Sequence, residues 1–410
     1  MLFNSYLFLW TLLVLWFSAV AGVVAFYRRD IHRLWREPVL RYPVLTVESD
    51  DWGAGPLVQA SALRDIVDVL RRFQDSEGRR PVISLAVVLA VPDGPAICAD
   101  STAYQRRRLD DPSLASILSV LKFGEAEAVF SLQLHGLEHF WPDTVMACGD
   151  SKVQAWLREP GPSFTEQLPS HMQSRWIDAA CLPSQPLSVA AIQRAVKEEV
   201  EIYREVMACP PRIVVPPTFV WTPVVEDAWA ANGIECVITP GQRYVCRETD
   251  GASVSDGARF ANGDRSGAIT YLVRFDYFEP ARGRDAAYAL RALRRAVLEG
   301  RPCILENHRV NFCQGPTMHT RSLQELERLI TGALAQAPKV RFLSSSDLLH
   351  IYKRRDPEWL FSRFGERFPY FWQRLRHTGR LWKLLRISGA ALPGELLMLL
   401  KSRRASHSHV

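Results

Sequence analysis

The sequence predicts an α/β fold, a parallel (β/α) barrel of about seven strands preceded by one transmembrane helix, and three observations carry the prediction. Between about Tyr42 and Tyr352, short β-branched runs alternate with longer apolar-periodic stretches, a rhythm of strand then helix repeated seven or eight times. Several of those runs end abruptly in polar residues, and the exits of parallel strands are where such domains keep their reactive groups. From Met1 to Tyr27 no side chain is charged. Periodicity by itself fits a doubly wound open sheet as well as a closed barrel, so closure is the first expectation and the open sheet the second.

Taken in order, Met1–Tyr27 is rich in Leu, Val, Phe, Trp and Ala, and at about 1.5 Å per residue it spans the roughly 30 Å hydrocarbon core of a bilayer. A cleaved signal peptide is the competing reading, since Ala19, Val20 and Ala21 form an A-x-A pattern. The run has no preceding Lys or Arg and continues past that point, which favours an uncleaved anchor inserted in membrane lipid. A basic linker, residues 28–41, follows with Arg28, Arg29, Arg33 and Arg36. The positive-inside rule then places the body of this single-pass chain on the cytoplasmic side.

Strands are expected at Val44–Val47, Val82–Val91, Ala128–Leu134, Arg212–Val215, Glu235–Ile238, Thr270–Phe275, Pro302–Leu305 and Val340–Leu343. Helical periodicity covers Ala60–Phe73, Ser188–Met207, Asp285–Glu299 and Ser322–Ala335. With no evident linker among them, residues 42–352 read as one domain. Residues 353–410 are a basic, aromatic-rich tail, in which Phe368, Tyr370, Phe371, Trp372 and Trp382 are mixed with Arg374, Arg376, Arg380, Lys383 and Arg386. Such a segment suits an anionic membrane surface, and a helical pair packed on the main domain fits equally well.

A chain of 410 residues that is 48% hydrophobic can bury a large core, which excludes disorder and low complexity for most of it. The net charge of +6 is too mild to argue for nucleic acid, and none is expected as a partner. Eight cysteines without a CxxC pair make neither a disulfide framework nor a zinc ribbon, and read as ordinary buried thiols. No Gly-rich phosphate loop follows the first strand and no G-x-S-x-G elbow occurs, so nucleotide binding and serine-hydrolase chemistry lose ground. Oligomeric state is not legible.

Three strand exits are unusual. The first strand runs into Glu48, Ser49, Asp50, Asp51, Trp52 and Gly53. Adjacent side chains on extended chain point in opposite directions, so the two aspartates can divide labour, one binding a cation and the other handling a proton. The bland alternative is a solvated Asp-Gly turn. The third strand leads into His135-Gly136-Leu137-Glu138-His139, and two histidines four apart share one face of a helical turn and can hold one metal ion. With the aspartate pair they complete a two-histidine, one-carboxylate set with open positions, the form of a catalytic divalent-metal site. A later strand ends in Leu305-Glu306-Asn307-His308-Arg309, where His308 is available for proton transfer. Asp276 is positioned either to hold that imidazole in its tautomer or to pair with Arg274 at the surface.

These residues resemble the NodB-like polysaccharide deacetylases, carbohydrate esterase family 4, over about three quarters of the chain, from Val44 to about Leu349. The resemblance implies an irregular (β/α) barrel. The family's first motif, T-F-D-D, is matched by Val47-Glu48-Ser49-Asp50-Asp51, which makes Asp50 the catalytic base and Asp51 a metal ligand. Its second, H-S/T-x-x-H, is matched by His135 to His139, making both histidines ligands, with Gly136 in place of the hydroxyl residue. The third, R-x-P-Y, survives only as Val215-Pro216-Pro217-Thr218-Phe219; the arginine is missing, and Pro217 with Phe219 or Trp221 would form a groove wall. The last, L-x-H, corresponds to Leu305-Glu306-Asn307-His308 with one extra residue, leaving His308 as general acid. Trp52 and Arg309 are the remaining expected substrate contacts.

The implied activity is metal-dependent removal of an N-acetyl or other N-acyl group from a polysaccharide or lipid-linked saccharide, with zinc preferred and cobalt, nickel or manganese admitted. Two other classes stay open: an inactive barrel that binds glycan or scaffolds a membrane assembly, and a glycoside hydrolase on a related barrel. The latter needs two opposed carboxylates, and Glu48, Glu138 and Glu306 cannot be placed from sequence.

Overall fold

The computed structural model describes the backbone of residues 2–407 and the side chains of residues 10–399. The chain divides into two compact units, one of Tyr42–Val297 with Pro302–Asp356 and one of Met1–Arg41, Leu298–Arg301 and Pro357–Val410.

The larger unit is built on one ten-stranded sheet. Its strands are β1 (Val44–Gly53), β2 (Ile83–Val88), β3 (Phe130–Leu134), β4 (Ile213–Val214), β5 (Cys236–Thr239), β6 (Arg265–Ser266), β7 (Ile269–Val273), β8 (Asp276–Tyr277), β9 (Cys303–His308) and β10 (Arg341–Phe342). The order across the sheet is β6-β7-β5-β4-β3-β2-β1-β9-β8, with β10 also paired to the start of β1. Every pairing is parallel except the β6–β7 hairpin. Each of the eight expected strand regions contributes to this sheet.

The sheet curls, and the chain itself joins its two ends. Strand β7 pairs with β5 near one edge and β8 with β9 at the other, yet only Arg274 and Phe275 separate β7 from β8. The Arg274 amide donates to Thr239 O at 2.9 Å and the next amide, of Phe275, to Ile304 O at 2.8 Å, so one segment passes from the first edge to the second. A doubly wound open sheet does not do this.

Helices Val58–Leu70, Ala115–Ala126, Val189–Met207, Pro223–Ala231, Ala286–Glu299, Pro316–Gln336 and Ser345–Arg354 alternate with the strands. In Val189–Met207 the buried side chains Ile192, Val196, Val200, Tyr203 and Val206 recur every three or four residues, the stripe that holds a helix on a sheet, and the Ser188 hydroxyl caps its start by accepting from Ala191 N. The core also takes in Trp52, Trp176, Trp221 and Trp229, each fully buried. All eight cysteines are free, but the expectation that they are buried holds only for Cys236, Cys303 and Cys313; Cys148 and Cys246 are half-buried and Cys98, Cys181 and Cys209 exposed.

Strand β1 runs six residues beyond the expected Val44–Val47, and all ten of its residues are buried. A strand covered on both faces ordinarily reads as continuously apolar. Here the polar residues from Glu48 to Asp51 stay in the strand because the barrel interior supplies their partners, described below.

The smaller unit contains helices Leu2–Phe26, Arg28–Arg36, Phe364–Arg376, Arg380–Ile387 and Leu392–His407. Residues 28–41, expected as a linker, are therefore partly helical. Trp372, Leu375, Leu381 and Leu385 form a small core against which Val23, Tyr27, Ile31 and Leu34 pack. Among the described residues no single helix is long and apolar enough to cross a membrane. Trp10–Phe26 and Arg28–Arg36 meet the length and composition only together, as a pair bent by 63°. The beginning of the expected span, the side chains of residues 1–9, lies outside the described residues.

Candidate metal centre and its proton-transfer groups

The strand exits bring the site together. In the β1–β9 register Asp50 lies opposite His308, and His135 follows β3 directly, its amide bonded to Val87 O of β2 at 2.9 Å. Between Ser49 and Trp52 the β1–β2 register slips, and Asp51 sits at φ 72°, a left-handed conformation that few residues besides glycine, asparagine and aspartate adopt readily. The bulge re-aims the two aspartates: simple strand alternation, the expectation from sequence, is replaced by a kinked exit that turns Asp51 to the histidines and Asp50 to an arginine.

The Asp51 carboxylate oxygen Oδ1 lies 3.2 Å from His135 Nε2 and 3.1 Å from His139 Nε2. One ligand atom from each residue falls within 4.8 Å of the others, and all three residues are buried. His135 Nδ1 is 2.7 Å from the Val215 carbonyl, which can only accept, so Nδ1 carries the proton and Nε2 presents a lone pair to the carboxylate. Two lone pairs facing each other at that distance repel unless a cation lies between them. The donor set and this tautomer fit a divalent metal, and the His135 Nδ1 bond is the outer-shell contact that metal-binding imidazoles ordinarily make. Without a metal the place between carboxylate and imidazoles can be taken by protons on the imidazole nitrogens; burial alone would raise the Asp51 carboxyl, but the His139 charge and the hydrogen bonds those protons make then outweigh it and hold it well below the usual value.

The segment from His135 to Phe140 is an irregular bend, not the helical turn expected from the spacing. Gly136 explains why: it adopts φ 90°, and a Cβ there would stand 2.7 Å from Glu138 O and 2.9 Å from Arg175 Cδ. No hydroxyl residue can be seated at that position without moving the backbone. Behind the bend, Arg175 donates to Glu138 at 2.7 Å and to Glu199 at 3.0 Å, and Glu199 also accepts from the Leu137 amide at 3.3 Å. Sequence reasoning missed this buried network.

Asp50 is clamped by Arg274, whose two Nη atoms donate to its two oxygens at 2.7 and 2.6 Å while Nε donates to Glu48 at 2.9 Å. The guanidinium holds the Asp50 carboxyl below its ordinary value although burial opposes it. The arginine absent from the Val215–Phe219 segment is thus supplied from the β7–β8 junction. Pairing with Arg274, the alternative open for Asp276, does not occur: Arg274 turns inward because its segment crosses from one sheet edge to the other. Glu48 is fully buried and also accepts from Ser345, so it is part of the clamp. Glu306 completes the group, 3.4 Å from Arg274 and 3.9 Å from His308, its carboxyl raised by burial.

His308 stands opposite, with Nε2 4.0 Å from Asp50. Its Nδ1 is held at 2.5 Å by Glu279, which also accepts from Asn311 Nδ2 at 3.1 Å. The role assigned to Asp276 therefore belongs to Glu279, three residues on. Asp276 accepts from Tyr288 at 2.7 Å and Arg295 at 2.8 Å and does not touch the imidazole. Burial works against charge on His308, but the Glu279 hydrogen bond and the Asp51 and Asp50 carboxylates outweigh it, and the imidazole is pushed up to about 10. It is then protonated at neutral pH. Glu279→Gln removes the charged acceptor, so the alkaline limb of kcat should move to lower pH by roughly one unit or more, read from a pH–rate profile. An unmoved limb would take the proton away from His308.

Four of the expected substrate contacts are corrected. Trp52 is fully buried, its Nε1 donating to Ser49 at 2.8 Å; Trp221 is equally buried and bonded to Glu226 at 3.2 Å. Both apolar rings belong to the core, where their area contributes most. Arg309 is 1% exposed and engages Glu166 at 2.7 and 3.2 Å, so no donor fork is offered to a ligand. Pro217 is buried beneath the turn it starts. Phe219 alone stays half-exposed, at φ 56° after Thr218 at φ 54°, and its ring lies 5.2 Å from the Arg274 guanidinium.

No family model matches the chain, and no curated protein does. Among solved structures, peptidoglycan deacetylase PdaC from Bacillus subtilis is similar at TM-score 0.37 and 11% identity, over 77% of this chain and 94% of that one. A family 4 acetyl xylan esterase from Clostridium thermocellum in complex with a cobalt ion gives TM-score 0.37 and 10% identity, over 75% and 91%. A CE4 family pseudoenzyme from Bacillus anthracis gives TM-score 0.36 and 10% identity, over 75% and 66%. A 4-alpha-glucanotransferase from Thermococcus litoralis is as similar, at TM-score 0.37 and 10% identity over 75% of this chain and 40% of that one. Likeness this faint decides nothing about chemistry, which rests on the side chains above; most of the structures the chain is similar to here are members of carbohydrate esterase family 4.

Proposed function

We propose that this chain is a metal-dependent N-deacetylase of a polysaccharide or lipid-linked saccharide. One observation carries the reading: a buried Asp51-His135-His139 triad lies beside an ionised, arginine-clamped Asp50 and an imidazole held by Glu279. A divalent ion held by the triad supplies Lewis acidity and lowers the pKa of water toward neutrality; zinc suits the imidazole ligands best. Asp50, kept charged by Arg274, accepts the proton of the attacking water. His308, kept protonated by Glu279, gives its proton to the departing amine nitrogen, and a free amino sugar and acetate result. Glu48 and Asp50 share one guanidinium on one side of the site, which does not favour the opposed carboxylates of a glycosidase.

Acetate release from N-acetylated glycans by the purified chain, with added Zn²⁺, Co²⁺ or chelator, tests the reaction. His135→Ala should lose both stoichiometric metal and acetate release; full metal occupancy in that variant rules out the triad.

The proposal extends to the N-terminal helix as a membrane anchor, with the catalytic unit in the cytoplasm. It is supported by the uncharged stretch up to Tyr27 and the four arginines that follow. Paired C-terminal fusions report the side: a bright fluorescent protein with an inactive phosphatase is expected, and the reverse places the catalytic unit outside.

A further inference from the structure

The two units carry opposite charge. The smaller one holds 16 of the 50 Lys and Arg and 6 of the 44 Asp and Glu, a balance of +10, leaving −4 on the unit with the metal centre. Apolar exposure follows the same division: of the 20 large hydrophobic side chains exposed among the described residues, 17 belong to the smaller unit. Scattered single cases are ordinary on a protein surface, but this concentration is not.

The exposed residues are not confined to the N-terminal helix. In Arg380–Ile387, Leu381 and Leu385 are buried against the unit's own core, while Leu384 and Ile387 are 40% and 75% exposed. The helix is apolar on two faces, one satisfied and one not. Its exposed basic residues Arg380, Lys383 and Arg386 accompany the unsatisfied face. The next helix continues the pattern with Leu392 and Leu396, 64% and 59% exposed and one turn apart. The N-terminal helix and the tail touch in this unit, where Trp16 Nε1 donates to Ser388 O at 2.6 Å.

We propose that Arg380–Leu396 is a second membrane element, lying along an anionic leaflet with Leu384, Ile387, Leu392 and Leu396 in the acyl boundary and Arg380, Lys383 and Arg386 on the headgroup phosphates. Apolar side chains bracketed by cations are what an interfacial helix offers such a surface, and the +10 balance supplies the charge complementarity. This inference rests on the anchor reading and is independent of the deacetylase reading. It assigns to the tail a partner, the bilayer.

The full chain is reconstituted in nanodiscs of phosphatidylcholine with or without phosphatidylglycerol. A polarity-sensitive probe is placed at Ile387→Cys after Cys98, Cys181 and Cys209 are changed to Ser; a control probe sits at Leu57→Cys, an exposed position of the larger unit. With phosphatidylglycerol present, the Ile387 probe should blue-shift and be quenched by iodide about threefold less than the control, as for a side chain below the headgroups. Arg380→Glu with Lys383→Glu and Arg386→Glu should return it to the control value. Equal quenching at both positions overturns the proposal, as does protection that already exists in detergent and grows with protein concentration, which assigns the face to a second copy. Protection indifferent to phosphatidylglycerol and to charge reversal overturns the anionic assignment. Failure to enter the discs at all removes the anchor as well, and acetate release measured on the same samples judges the catalytic reading separately.

Discussion

Asp50→Asn should leave the metal in place and lower kcat by roughly 10²-fold or more, the usual cost of removing a general base. The division of labour comes from the bulge after Ser49: Asp51 turns to the imidazoles and Asp50 to Arg274, so the substitution spares every ligand atom. Asparagine is near-isosteric and its oxygen still accepts from the guanidinium, which keeps the packing. What it cannot do is take a proton from water. Metal content by mass spectrometry and kcat on one preparation separate the two roles. Near-normal kcat would move the base to Glu306, the remaining carboxylate that faces both Arg274 and His308. Loss of metal would show instead that the two aspartates are not independent.

Much of this arrangement was legible from sequence, and the boundary of legibility is physical. Strand exits were visible because a β-branched run that breaks into charge has few structural explanations, and Asp50, Asp51, His135, His139 and His308 all came from that signal. What failed was direction. Alternation along β1 cannot reveal a bulge at Asp51, and i, i+4 spacing at His135 and His139 reads as a helical turn unless the positive φ of Gly136 is known. The misassigned Asp276 shows the same limit at shorter range: both Asp276 and Glu279 follow Arg274 closely, and only the β8–β9 register decides which one meets His308. Trp52 as a substrate contact and Trp221 as a groove wall are expectations that burial overturns. Full burial with a bonded indole N–H is the commoner fate of tryptophan, and it holds here. A buried arginine at the end of an otherwise apolar run, Ile269 to Val273, was the available clue to the clamp.

Arg274→Gln should combine the largest loss of stability with loss of activity. Arg274 is the cation shared by Glu48, Asp50 and Glu306, at 2.9, 2.6 and 3.4 Å, all three with side chains no more than 9% exposed. Removing one partner of a buried ion pair costs about 3–5 kcal/mol, because the charges left behind have neither water nor counter-ion. The pH dependence fixes the sign. In the native protein the Asp50 carboxyl lies below its ordinary 3.8, so its contribution is present above that value and is lost as pH falls through the lower, folded one. Without the guanidinium, burial is the dominant influence and carries the carboxyl above 3.8 instead. The variant should therefore gain stability from protonation as pH falls toward 5, a narrowing of its deficit relative to the native chain, while its acid limb in kcat/KM moves to higher pH as the base is neutralised. Arg274→Lys keeps the charge but not the three-way fork, and should recover part of the stability and little of the rate. Urea unfolding at pH 7 and pH 5, with pH–rate profiles on the same variants, checks each part. A deficit that does not depend on pH, with an unmoved acid limb, would mean that Arg274 serves packing alone and that Asp50 is kept ionised by something else.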